Sequence, residues 1–165
     1  MSRAFVNEDN AAADAEQPIE RLVSEQTNYV TARGLELLQE RVSSLQAEHS
    51  AQNALGDAAD KQRLADLERD LRYFNQRLHS AQVVAPPVST EKVQIGSWVT
   101  FADEDDNQQR VHLVGEDQAD AANGLINWGS PLGRALIGAK KGEEVVWRRP
   151  AGDVSIEVLL IDTTE

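Results

Sequence analysis

Asn53-Ala54-Leu55-Gly56-Asp57-Ala58-Ala59-Asp60 is a turn of small and polar residues lying between two apolar seams of matching period. Upstream, Leu35, Leu38, Val42 and Leu45 recur at intervals of three and four, and the register runs on into His49 and Gln52. Downstream, Leu64, Leu67, Leu71, Phe74, Leu78 and Ala81 keep the same alternation. Neither stripe buries itself alone, so the turn at Gly56 predicts an antiparallel helical hairpin, a coiled coil folded from one chain. Its tip carries the carboxylates of Asp57 and Asp60.

Thr31 is placed as the N-cap of the first helix, with Val30 packing on Leu35 as a hydrophobic staple. From Ala32 to about Gln52 that helix would be roughly 30 Å long. The seam turns polar at His49 and Gln52, which predicts a hairpin tighter at its base than at its tip. His49 has no second ligand near it in sequence and reads as a seam or surface histidine. The second helix is expected from about Ala58 to Ala81, with Asp57 as its N-cap and Asp60 at N3, where the helix dipole favours a carboxylate. On its outer face Asp66 should pair with Arg69 and Glu68 with Arg72, a solvated, ion-paired surface. A second reading makes Arg63, Arg69 and Arg72 a basic stripe able to touch a phosphate or an acidic wall.

The hairpin uses roughly a third of the 165 residues without making a globular core, so a second module is required. The formal net charge of -12 disfavours sequence-independent binding to nucleic-acid phosphates or to an anionic membrane and points to a basic partner surface. There is no cysteine for a disulfide or a thiolate metal site. Met1 to Val6 does not read as an export signal and no run of eighteen apolar residues occurs, so the expected location is the cytoplasm.

Residues 1 to 29 are rich in Ala, Asp, Glu, Asn and Gln and read as a flexible acidic tail, with Ile19 to Val23 able to dock as a short helix. After the hairpin (30 to 84), Ala85-Pro86-Pro87-Val88-Ser89 opens a linker running to residue 92. From residue 93 the pattern is that of strands: Val93 to Phe101 with a bend at Gly96, Val111 to Val114, Leu125 to Trp128, Val145 to Arg148 and Val154 to Ile161. Between the third and fourth, Ser130 is a good N-cap, Pro131 suits the first helical position and Gly138 a stop. The expected architecture is α+β: a helical hairpin, then a small antiparallel sheet carrying one short helix. Trp98, Phe101, Trp128 and Trp147 fall on its strands, where core packing is the default.

The segment Ser130-Pro131-Leu132-Gly133-Arg134-Ala135-Leu136-Ile137-Gly138, with Lys141-Gly142, Pro150-Ala151-Gly152, Leu55-Gly56-Asp57 and Asp70-Leu71-Arg72-Tyr73, resembles the bacterial Gre transcript-cleavage factors, and the GreB branch in particular. The likeness covers Tyr29 to Asp162. It implies an FKBP-like C-terminal module that binds core RNA polymerase, with Ser130, Pro131, Leu132, Arg134 and Leu136 on the docking segment, and a hairpin inserted into the secondary channel. It also implies that the chain is no enzyme itself. In the family, an Asp and a Glu three residues on help hold a magnesium ion shared with the polymerase active site, which then hydrolyses the RNA 3′ end. Hard oxygen ligands suit that ion. The free protein would hold no metal or cofactor of its own.

Two departures bear on that activity. Asp57 matches the family's Asp, but Asp60 stands where the Glu should be, one methylene shorter. Each arm is also shorter than in the cleavage factors by roughly one heptad, which keeps the seam in register but costs about 10 Å of reach. The reading is therefore a channel-binding regulator with weak or no stimulation of cleavage. The alternatives are full cleavage activity through Asp57 and Asp60, or a peptide-binding adaptor unrelated to polymerase. The self-satisfied seam predicts a monomer.

Overall fold

The computed structural model describes residues 17–164. Thr31 starts the hairpin as expected: its Oγ1 accepts from the Gly34 N–H at 3.0 Å, and its hydroxyl bonds Gln118 Oε1 at 2.6 Å. Helix α1 then spans Ala32–Asn53, a 3-10 turn covers Gly56–Ala58, and α2 spans Lys61–Ser80. The turn takes the tight path because Gly56 has φ +56, the left-handed region open to glycine. The second helix thus begins three residues later than its apolar period suggested. Two short strands bracket the hairpin, β1 (Tyr29–Val30) and β2 (Gln82–Val83), paired in parallel as Tyr29 with Gln82 and Val30 with Val83.

By its contacts the chain forms two compact units. The first holds Glu40–Arg77 together with the described residues up to Ser24. Its seam is the predicted one, with Val42, Leu45 and Leu67 buried and Leu64, Leu71 and Phe74 half-buried. Toward the tip, polar rungs replace apolar ones: His49 Nε2 lies 3.1 Å from Glu68 Oε1, Arg63 pairs with Glu48, and Gln52 Oε1 accepts from the Asp60 N–H at 3.1 Å. Surface pairs of this kind contribute far less than buried leucines, so the seam's stability is concentrated away from the tip.

The second unit holds Glu25–Gln39 and everything from Leu78 onward, so the base of the hairpin is built into the sheet module. Five strands, β3 (Trp98–Ala102), β4 (Gln108–Val114), β5 (Leu125–Asn127), β6 (Glu144–Trp147) and β7 (Val154–Asp162), lie in the order β5-β4-β3-β7-β6. Alternate residues point inward: Val99 and Phe101, Val111 and Leu113, Ile156 and Val158. They meet Leu132 and Leu136 of the short helix α3 (Pro131–Leu136).

The sheet is mixed where a wholly antiparallel one was expected, because β5 runs parallel to β4. The segment between them makes two 3-10 turns, Glu116–Gln118 and Ala121–Asn123, and acts as a crossover that returns the chain to the same end. The first sheet strand also begins at Trp98, not at Val93. Gly96, at φ +93, turns the chain, and Val93 is instead tied to the end of α3, donating to Ala139 O and accepting from the Gly138 N–H, each at 2.9 Å.

The N-terminal expectation needs correction too. Residues 1–16 lie outside the described part, but from residue 17 the chain follows a defined irregular path with no helix. Gln26 Nε2 donates to Asn127 Oδ1 at 3.1 Å and Asn28 Nδ2 to Ser80 Oγ at 3.2 Å. Ile19, Leu22 and Val23 do have helical spacing, but Ile19 and Leu22 are largely exposed, so a helix here would bury no apolar face and so short a segment does not form one alone.

Candidate functional site

At the hairpin tip the two aspartates have different tasks. Asp60, not Asp57, caps α2: its Oδ1 accepts from the Arg63 N–H at 3.0 Å. Asp57 sits in the 3-10 turn, exposed, and its carboxylate has no hydrogen bond or ion pair among the described residues. The tip therefore presents one uncommitted carboxylate and one with an oxygen engaged by the helix backbone. No group of three or more potential metal-ligating side chains occurs among the described residues. A magnesium ion needs near-octahedral oxygen coordination, so these two side chains fit only as a minority of ligands to an ion held mainly elsewhere.

The basic stripe is neutralised along its length. Arg63 pairs with Glu48, Arg69 bonds Asp70 at 3.1 Å and lies 3.9 Å from Asp66, and Arg72 pairs with Glu20. The expected Asp66–Arg69 pair is present, whereas Glu68 faces His49 and Arg72 takes its main partner from the N-terminal segment. Hydrogen bonding to Arg72 holds the Glu20 carboxyl below its ordinary value and raises that of the guanidinium.

On the sheet module the Ser130 hydroxyl accepts from the Gly133 N–H at 3.2 Å and Pro131 follows at N1. Gly133 is required there, since a Cβ would stand 2.4 Å from the carbonyl oxygens of both Asn127 and Trp128. Of the residues expected on a docking segment, Leu132 and Leu136 are buried in the core and hold α3 in place, whereas Ser130 is half-buried and Pro131 and Arg134 are exposed. Trp128 packs on Tyr29 with ring centroids 5.4 Å apart.

Beside α3 opens a cleft of about 760 Å³ lined by Val111, Ile126, Pro131, Leu132 and Trp147, with Arg110, Arg148 and Arg149 among its walls. The Arg149 guanidinium lies 5.2 Å over the Trp147 ring, and Arg110 lies 4.4 Å over Trp98, which stacks on His112. Arg134 and Arg148 flank a second recess with Pro131 and Val146. Neither of these two arginines has a hydrogen bond or ion pair among the described residues. Arg110, Arg148 and Arg149 were not singled out from sequence. The run Arg148-Arg149 beside Pro150-Ala151-Gly152, in a chain of net charge -12, was the available signal. The arrangement suits an acidic surface that carries an apolar anchor.

The description "Transcription elongation factor, GreA/GreB, C-term" matches residues 88–163. The transcription elongation factor GreB of Neisseria meningitidis (serogroup B) is 38% identical over 104 residues, 62% of this chain and 64% of that protein. GreA of Sphingopyxis alaskensis is 34% identical over 137 residues, 74% of this chain and 87% of that one. GreB of Yersinia pestis is 32% identical over 151 residues, 82% and 88% of the two chains. The match thus spans just under two thirds of the Neisseria factor and most of the other two. Among solved structures, the GreA/GreB elongation factor of Nitrosomonas europaea covers 81% of this chain and 98% of its own at 23% identity, with a TM-score of 0.40. No helix among the described residues is long and apolar enough to cross a membrane.

Proposed function

The chain belongs to the GreA/GreB family of transcription elongation factors, and from that premise we propose that it binds core RNA polymerase in the cytoplasm as a monomer and occupies the secondary channel with its hairpin. It acts as a regulator with weak or no stimulation of transcript cleavage. The observation that carries the docking half is the apolar cleft beside Ser130 and Pro131, with the cations of Arg134 and Arg148, which have no partner among the described residues, next to it. An acidic surface on the polymerase would find local positive charge there on an otherwise acidic protein.

The Asp60 N-cap supports the regulatory half. Supplying that carboxylate to a metal would compete with the hydrogen bond that starts α2, and the residue is already one methylene shorter than the family's Glu. Arms shorter than in the cleavage factors by roughly one heptad, as the resemblance implies, would add a deficit of about 10 Å that side-chain rotamers do not recover. The exposed carboxylate of Asp57 favours a second reading, in which the tip still delivers oxygen ligands to a magnesium ion of the polymerase and RNA 3′ ends are cut.

The deciding experiment is a cleavage assay on a backtracked elongation complex, with binding to core polymerase measured in the same samples. Binding without released 3′ fragments is expected. Cleavage that disappears in Asp57→Ala with Asp60→Ala would establish the second reading, and no binding at micromolar concentration would reject both.

A further inference from the structure

The N-terminal segment supplies a contact that neither the hairpin fold nor the docking cleft uses. Glu20 lies against Arg72, whose Nε donates to both carboxylate oxygens at 3.0 and 3.2 Å while Nη2 also bonds the first. Next to it, the Arg21 guanidinium stands 4.0 Å over the Tyr73 ring and 4.9 Å from that of Phe74, and it reaches Asp70 Oδ1 at 3.5 Å. Residues 20 and 21 thus touch four residues of α2 from the outside, Asp70, Arg72, Tyr73 and Phe74. Their apolar neighbours do not take part: Ile19 is 91% and Leu22 94% exposed.

A segment held by charge and ring contacts, with its own aliphatic side chains in water, is bound weakly and is sensitive to competing charge. It is nonetheless always at hand, because it is part of the same chain and of the same compact unit as the face it touches. What it covers is the only aromatic pair on α2, Tyr73 and Phe74, together with an arginine of the basic stripe. The Glu20 carboxylate occupies the place that an acidic side chain of a partner would take.

We propose that residues 18–23 are an autoinhibitory strap that covers Arg72, Tyr73 and Phe74 and must leave before this face of the hairpin meets an acidic partner surface. The strap rests on the polymerase reading for the identity of that partner. Bound strap lowers apparent affinity by the fraction of molecules in which the face is open, and an acidic partner surface shifts that fraction by competing for Arg72.

The test uses the full chain and two readouts. Nitration by tetranitromethane, followed by mass spectrometry, reports exposure of Tyr73, with Tyr29 as internal reference, and titration with core RNA polymerase reports affinity. Glu20→Arg should raise nitration of Tyr73 alone and tighten polymerase binding about fivefold to tenfold. Glu25→Arg, which changes net charge equally, should alter neither. Adding Arg72→Glu to Glu20→Arg should restore protection of Tyr73 by reversing the pair. Unchanged nitration in Glu20→Arg would overturn the strap. Raised nitration with unchanged affinity would overturn autoinhibition while leaving the polymerase reading intact. Absence of binding by every form, including the released variant, would overturn both.

Discussion

The Asp60 carboxylate and the Arg63 backbone N–H, 3.0 Å apart, fix where the second helix begins. Removing the oxygen in Asp60→Ala should cost about 1 kcal/mol of stability. Asp60→Asn keeps an acceptor and should cost a few tenths at most. Asp57→Ala, without a hydrogen bond or ion pair to lose among the described residues, should stay within about 0.5 kcal/mol of the unaltered chain. Urea unfolding of the three variants separates capping from any role of the charge. A larger loss in Asp57→Ala than in Asp60→Ala would show that the cap has been misassigned.

Gly133→Ala places a methyl group 2.4 Å from two carbonyl oxygens of the chain entering α3. Backbone has to move, so a loss of about 1–3 kcal/mol is expected by the overpacking range. Circular dichroism and urea midpoints measure it; a neutral effect would mean that α3 sits farther from Asn127 and Trp128 than described.

Leu67, with 0% of its surface exposed, and Leu136, likewise 0%, anchor the seam and the sheet core respectively. Each change to alanine should cost about 2–5 kcal/mol. Because they lie in different compact units, their effects should add, and a double variant read by urea denaturation tests this.

Two carboxylates link structure to acid. The hydrogen bond from Arg72 holds Glu20 below its ordinary value of 4.5, and the charges of Arg72 and Arg69 add to this, while the charge of Glu68 also acts on Arg72. Backbone N–H donation, first from Asn107, holds Asp103 below 3.8. For a depressed carboxyl the favourable contact is complete above the ordinary value and is lost as pH falls through the lower, folded one. Both contacts should therefore be constant above about pH 5 and weaken below about pH 4. Nuclear magnetic resonance of Tyr73 ring protons and of the Asn107 amide would follow the two separately, and a transition near neutral pH in either would contradict the assignment.

Arg134→Glu and Arg148→Glu reverse the cations beside the cleft proposed for docking. Each should weaken binding to core polymerase about tenfold at low salt, the effect shrinking as salt rises. Circular dichroism should be unchanged, since neither side chain has a partner to lose among the described residues. Unaltered affinity in both would place the docking surface elsewhere.

Much of the fold was written locally. The seam around Leu38, Val42, Leu45 and Leu67 is set by a period that no other element shares, and Thr31 and Ser130 carry caps whose chemistry is confined to three residues. What escaped reading depended on distant or geometric facts. The start of α2 moved to Lys61 because the 3-10 turn used up Gly56–Ala58, a choice made by one glycine torsion. The parallel β5 depended on the path of a crossover that hydropathy does not encode. Arg72 finds Glu20 across more than fifty positions of sequence, whereas helical spacing pointed to Glu68. The tip aspartates were visible as a pair, but their division of labour required knowing where the helix backbone began.

The pairing of Tyr29–Val30 with Gln82–Val83 closes the chain upon itself just outside the hairpin. Between those strands Glu40–Arg77 belongs to the other unit, so the chain leaves and re-enters the sheet module as one closed excursion, and the entropic cost of closing a loop rises only with the logarithm of its length. Matched insertions or deletions in both arms are therefore nearly free for the rest of the molecule. This clasp makes the arm a length-adjustable cassette, so that descent within the family can retune how far the tip extends without redesigning the domain that anchors it.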